Sequence, residues 1–182
     1  MRFQKIAAVL FFSIFGLGIG SQAAAAPKSS VLAAIDQPRY TQELTEITDS
    51  QTRSDTLCLA LNLYHEIRGA KHSQRDIAAV GWATRNRVES PVANGRDYCE
   101  IIWERGQFSW TVRATNTLMP REIAEWNRMV RISIGVIDGS IADPTSGANT
   151  FYISSLGTPS WTRRGTGRMT VGPHTFVRLP NR

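Results

Sequence analysis

The residue types most able to do chemistry crowd into one short stretch, YHEIRGAKH at residues 64–72, where a carboxylate stands beside one histidine and shortly before another. A zinc-peptidase helix needs two histidines four residues apart with the glutamate as base, but the residue four after His65 is Gly69. His65 and His72 are two helical turns apart, about 10 Å of rise, and Gly69 is placed to end the helix between them. The chain's other histidine, His174, is remote in sequence. The spacing therefore predicts no metal site and no cofactor, and leaves Glu66 to be read by itself.

Leu57, Ala60, Leu61, Tyr64 and Ile67 recur at helical spacing, and Leu59 and Leu63 add a second apolar side. Such a helix is buried nearly all round. It would begin near Ser54 or Asp55 as cap and end at Gly69 in a left-handed conformation. Glu66 then lies one turn before the C-terminus, where desolvation and the negative end of the helix dipole both favour the protonated carboxyl. A carboxylic acid held protonated near neutral pH is what a general acid needs. The competing reading pairs Glu66 with Arg68 or Lys71 on a solvated edge, and spacing alone leaves both open.

Further elements follow from periodicity and punctuation. Ser73 and Asp76 form a capping-box pattern for a second helix through Ile77, Val80, Thr84 and Val88, stopped by Pro91. A short third helix spans about Tyr98 to Trp103, and GQFSWTV after it suits a turn entering a strand. A fourth helix starts with Pro120 in its first turn, runs through Ile123, Trp126, Val130, Ile134 and Ile137, and closes at Gly139. ANTFYIS and MTVGPHTFVRL read as short strands with one or two hairpins. Trp82, Trp103 and Trp126 fall in helical segments and are assigned to the core. No internal repeat is present.

The N-terminus has Arg2 and Lys5, an apolar run from about Ile6 to Ile19, and SQAAAAP, the three regions of a secretory signal. The expected divisions are a signal peptide at 1–25, cleaved after Ala23 or Ala25, a linker at 26–54 with room for one short helix, and a single domain at 55–182. An uncleaved anchor is the alternative, although the run is shorter than the roughly 20 residues that span a bilayer. Losing residues 1–25 lowers the formal charge from +6 to +4. A basic exported protein meets an anionic wall polymer more readily than nucleic acid, for which no Lys/Arg run exists, and Arg163 and Arg164 read as a solvated loop. Membrane contact is expected only in transit, through the signal peptide. Cys58 and Cys99, an even count in an oxidising compartment, are expected to pair.

YHEIRGA, AAVGWATRNRVES, GQFSW, DPTSGANTFY and VGPHTF occur in an order that resembles the catalytic domain of the SleB/CwlJ-type cell wall hydrolases, over roughly residues 55–178. The resemblance implies an α+β, mainly α-helical, lysozyme-like (transglycosylase-like) single domain with a small β-hairpin region. It implies peptidoglycan glycan strands as partner and the glutamate of the Y-x-E-x-R-G motif, Glu66, as general acid. Ile67 and Ala70 replace positions of the common E-A-R-G-E form. Thr175 stands within a segment that is often G-N-H-R-F, and Phe151 to Ser154 replace a Tyr-Tyr-Asn-Pro-like stretch.

The activity so implied is cleavage between MurNAc and GlcNAc by lytic transglycosylation, with one carboxylate serving twice. Two-carboxylate hydrolysis uses a second acid at a set separation, and Asp97, Glu100, Glu104 and Asp143 have no spacing that marks a partner. Gln107 and Ser109 are assigned to sugar hydroxyls or N-acetyl groups, against turn and strand-edge bonding. Tyr152 and Trp161 are assigned to sugar faces, against aromatic core contacts. His174 is given a cleft role against a structural one in its Gly-Pro turn. The rival functions are a non-catalytic peptidoglycan-binding module and a metal-dependent amidase. The expected location is the periplasm or cell envelope.

Overall fold

A computed structural model of the chain describes residues 28–69, 71–113 and 115–180. The expected signal peptide lies outside the described residues, and none of the described helices is long and apolar enough to cross a membrane.

Among the described residues six α-helices are followed by a small sheet: α1 Lys28–Ile35, α2 Ser50–Ile67, α3 Gln74–Val88, α4 Tyr98–Trp103, α5 Thr115–Leu118, α6 Ile123–Ile137, then β1 Thr150–Ile153, β2 Thr166–Val171 and β3 His174–Arg178. The fold is mixed α and β, with a helical bulk and one three-stranded antiparallel sheet. α2 runs through the centre and packs against α6, α3 and α4. Its residues from Thr56 to Tyr64 are all buried, as an apolar helix without a polar stripe must be. α6 is more one-sided and turns Trp126, Met129, Val130 and Val136 onto α2 and α3.

The caps explain where the helices start. α3 begins with the expected capping box, Ser73 accepting from the Asp76 N–H at 3.1 Å and Asp76 from the Ser73 N–H at 2.9 Å. α2 begins a turn earlier than its apolar period, at Ser50, because Asp49 caps it by accepting from the Thr52 N–H at 2.7 Å. Ser54 and Asp55 are therefore interior residues. α6 starts only at Ile123, so Pro120 precedes the helix instead of occupying its first turn. GQFSWTV does not enter a strand: Ser109–Val112 is a 3-10 turn, because Trp110 folds inward and is buried.

Residues 28–49 differ from the expected linker. Val31 and Ile35 of α1 and Leu44 of the 3-10 turn Gln42–Leu44 are fully buried in the common core. Asp36 pairs with Arg53 at 2.8 Å, and the Trp126 indole donates to the Tyr40 carbonyl at 2.8 Å. The apolar period here covers a single turn and a half, too short to stand out among polar neighbours.

In the sheet β3 is central, with order β1-β3-β2, so that Phe151 lies opposite Phe176 and Met169 opposite Phe176 on the other side. The β2–β3 hairpin turns at Gly172, φ 55°, where a Cβ would come within 2.7 Å of the Asp76 carboxyl carbon. Glycine is needed there both for the left-handed backbone and for close approach to the α3 cap. Cys58 and Cys99 form a disulfide that ties α2 to α4.

Candidate active site

The last turn of α2 is fixed from both sides of Glu66. On one side the buried Tyr64 hydroxyl donates to the Glu122 carboxylate and accepts from the Arg121 N–H at 3.0 Å. Arg68 lies 4.9 Å over the Tyr64 ring. Gly69, at φ 130°, donates its N–H to Glu125 at 2.9 Å. Tyr64, Arg68 and Gly69 thus fasten the end of α2 to the start of α6, and Arg68 is not an ion-pair partner of Glu66 among the described residues.

On the other side His65 stacks on Trp110 with ring centres 4.8 Å apart, and its Nε2 lies 3.0 Å from the Leu118 carbonyl, which makes that nitrogen the donor. Burial, helped by the charges of Arg68 and Arg113, pushes the imidazolium down to about 4 against the opposing Leu118 bond. His65 is a neutral spacer. The Trp110 indole donates to Asn62 Oδ1 at 3.1 Å, and Asn62 in turn donates to Thr84 at 3.3 Å, so a buried polar chain underlies the turn that carries Glu66.

Glu66 itself opens into a cleft of about 320 Å³. One wall is the segment Gly106–Ser109, carrying Gln107 and Ser109, and the other is Thr150, Phe151 and Trp161. Burial raises the Glu66 carboxyl above its ordinary value, and the positive charge of Arg113 opposes this. Among the described lining residues Glu66 is the one carboxylate. Asp143, Glu104, Asp97 and Glu100 serve elsewhere. Asp143 accepts from the Thr145 and Gly147 N–H groups at 2.7 Å each, and Glu104 pairs with Arg96 at 3.1 Å. Asp97 and Glu100 form the capping box of α4.

Arg87 joins the two walls. Its Nη1 donates to Gln107 Oε1 at 2.9 Å, while Nε and Nη2 both donate to the Asn149 carbonyl at 3.1 and 2.9 Å. Neighbouring Asn86 donates to the Ala148 carbonyl at 2.9 Å, and Asn149 brackets Leu179 through both its amide atoms. The Gln107 amide is further held by Glu104 at 3.3 Å.

Of the residues assigned from sequence, the structure brings Glu66, Gln107, Ser109 and Trp161 together. Tyr152 stands behind Trp161, edge-on with centres 6.0 Å apart, and its hydroxyl meets Thr158 at 3.4 Å. His174 does not line the cleft. It is buried behind Phe151, ring centres 5.1 Å apart, because β3 is the central strand, and desolvation lowers its pKa to about 4. Arg87, Phe108, Thr150 and Phe151 were not assigned beforehand. Arg87 had a signal, since it stands three after Thr84 and seven after Val80 on the buried face of α3.

Asp55, Asp97 and Cys99 form the one cluster of potential metal ligands among the described residues, but the Cys99 sulfur is already bonded to Cys58.

A family model described as Cell Wall Hydrolase matches residues 71–177. The match covers both cleft walls and Arg87 and begins after Glu66. No curated protein and no solved structure matches the chain.

Proposed function

The chain belongs to the Cell Wall Hydrolase family, whose substrate class is peptidoglycan, and from that premise we propose that it cleaves glycan strands between MurNAc and GlcNAc as a lytic transglycosylase of lysozyme-like fold. One observation carries the reading: a desolvated, raised-pKa carboxyl is the single carboxylate among the described residues of a polar cleft.

In the proposed reaction the Glu66 carboxyl gives its proton to the bridging oxygen as the bond from that oxygen to the MurNAc anomeric carbon breaks. The MurNAc C6 hydroxyl attacks the same carbon and returns its proton to Glu66. A 1,6-anhydro ring forms, no water is consumed, and the carboxyl ends as it began. General acid-base catalysis of this kind contributes about 10²- to 10⁴-fold. Gln107 and Ser109 hydrogen-bond the sugar or its N-acetyl group from one wall. Trp161 offers a ring face from the other, with Tyr152 buttressing it.

The deciding experiment is mass analysis of the ends left on digested peptidoglycan by the wild type and by Glu66→Gln. A non-catalytic binding module would sediment with sacculi and release nothing. Export to the periplasm or cell envelope belongs to the same proposal: intact mass of the exported protein should show loss of about the first 23 to 26 residues, and a full-length membrane-bound form would contradict it.

A further inference from the structure

We propose that the loop between β1 and the 3-10 turn Ser160–Arg164 docks on the surface of an anionic lipid bilayer, with Ile153 and Leu156 entering the interface and Arg163, Arg164 and Arg168 meeting the headgroups. The inference goes beyond glycan cleavage and stands whether or not Glu66 is the acid.

Exposure is the first argument. Among the described residues five large hydrophobic side chains are exposed, and three of them, Ile153, Leu156 and Trp161, fall within nine residues. Leu156, at 80% exposure, is the most open of the five. A single exposed aliphatic residue is ordinary on a surface, but a cluster on one loop marks a contact.

Geometry makes the loop a projection. Its neck is closed by Tyr152, whose ring meets Trp161 edge-on with centres 6.0 Å apart and whose hydroxyl lies 3.4 Å from Thr158 Oγ1. Its root is fixed to the β2–β3 hairpin: the Ser154 N–H donates to the Pro173 carbonyl at 2.9 Å, and the Ser154 hydroxyl meets Thr175 at 2.8 Å. From Ile153 to Ser160 every residue is exposed except the half-buried Pro159. At the tip Gly157 adopts φ 86°, and a Cβ there would meet no atom within 4 Å. Leu156 therefore stands out from a fixed base into open space.

Charge identifies what it meets. Arg163 and Arg164 share the turn of Trp161, and Arg168 is bonded to Thr162 Oγ1 at 3.1 Å, so three exposed arginines surround the neck. No aspartate or glutamate occurs after Asp143. An aliphatic tip with a tryptophan at its base and arginines around it has the composition of an interfacial anchor for anionic lipid. A sugar chain suits it less, because Ile153 and Leu156 have no hydrogen-bonding side-chain atom and neither lines the Glu66 cleft. A protein partner needs a broad complementary patch, which a projecting tip does not offer, whereas a bilayer closes around it. Trp161 belongs both to the neck and to the cleft wall, so docking holds the cleft beside the bilayer.

The test measures partition of the exported protein onto sedimenting vesicles of phosphatidylcholine alone and of equal parts phosphatidylcholine and phosphatidylglycerol, at low and high salt. The wild type should bind the anionic vesicles at least about tenfold more tightly than the neutral ones. High salt should weaken this binding without abolishing it, since the aliphatic contact is not screened. Ile153→Ser/Leu156→Ser should weaken partition onto anionic vesicles at least about tenfold at both salt concentrations, and Leu156→Phe should retain it. Arg163→Gln/Arg164→Gln should weaken it roughly 30-fold at low salt, the effect of two arginines near an anionic surface, and much less at high salt. All substituted positions are exposed, so melting temperatures should match the wild type. Variants and wild type share one N-terminus, so whatever that segment contributes cancels in the comparison. Absence of binding to anionic vesicles overturns the proposal, as does binding that survives Ile153→Ser/Leu156→Ser, which is no more than the general attraction of a basic chain. Loss of sedimentation with purified sacculi in that variant, with vesicle binding unchanged, also overturns it and gives the loop to the wall polymer. Cleavage of solubilised strands by the same variant should equal that of the wild type, so failure of docking and failure of the Glu66 reading are read separately.

Discussion

Arg87 and Gln107 are joined by a 2.9 Å hydrogen bond that links the helix under the cleft to one wall, while the same guanidinium grips the Asn149 carbonyl at the root of the other. Three donors of one buried side chain thus set the width of the space above Glu66. A planar fork suits this task, because its nitrogens diverge at fixed angles.

Replacing Arg87 by Met should therefore destabilise the fold by about 2–4 kcal/mol, the cost of stranding several buried hydrogen-bond partners. Arg87→Lys keeps the charge but not the fork, so it should recover less than half of that loss. Urea unfolding of the two variants measures both effects. Equal stability of Arg87→Lys and wild type would show that the charge alone suffices and that the walls are held otherwise.

The disulfide ties the helix bearing Glu66 to the helix that leads into Gln107. With a sequence separation of 41 between the two cysteines, removing it should cost about 4 kcal/mol in the chain-entropy account. Denaturant unfolding of the Cys58→Ala/Cys99→Ala variant tests the magnitude, and non-reducing peptide mapping tests the pairing. Two free thiols in exported protein would refute it.

Legibility in the sequence followed length and locality. α3 and α6 run long enough for their apolar periods to show, and the Ser73–Asp76 cap was readable because its partners are three residues apart. Glu66 was readable for the same reason, since its neighbours on α2 create its environment. The cleft walls were only partly so: residues 106–109 and 150–161 meet through Arg87, a contact that spans 62 residues to Asn149. The Gly-Pro turn left His174 between a cleft and a structural role, because the pairing of β3 on both edges that buries it is a long-range feature. α1 was expected only as one short helix in a linker, and its place in the core escaped notice because its two buried residues make no sustained pattern.

Stability should also respond to pH through Asp55. Burial, with the nearby Asp97 charge adding to it, raises this carboxyl from 3.8 to about 6, against bonds from Gln51 and the Tyr98 N–H. A carboxyl raised in the folded state binds more protons there than in the unfolded chain. Its contribution is thus fully present below about pH 3.8 and is lost as pH rises through about 6. His65 and His174, lowered to about 4, act in the opposite sense over much of the same range. The measurement is therefore the difference in urea midpoint between wild type and Asp55→Asn at several pH values from 4 to 7. Relative to the variant, the wild type should weaken as pH rises. A constant difference would mean that Asp55 titrates normally.

The functional reading meets its sharpest test at Glu66 itself. Glutamine preserves the size of the side chain and its place in the cleft but has no acidic proton, so Glu66→Gln should keep wall binding and fold while glycan cleavage falls at least about 100-fold, the low end for general acid-base catalysis. Wild-type kcat should decline as pH rises through the raised pKa of the carboxyl, since the protonated form starts the reaction and burial is what maintains it. Products discriminate the chemistry after the proton is delivered. Capture by the C6 hydroxyl leaves 1,6-anhydro-MurNAc ends, lighter by one water than the reducing ends that capture by water would leave. Reducing ends would keep Glu66 as the acid of a muramidase and require a base outside the described lining residues. Normal cleavage by Glu66→Gln would instead move the acid elsewhere, and then the burial that raises this carboxyl would belong only to the packing of α2 against α6.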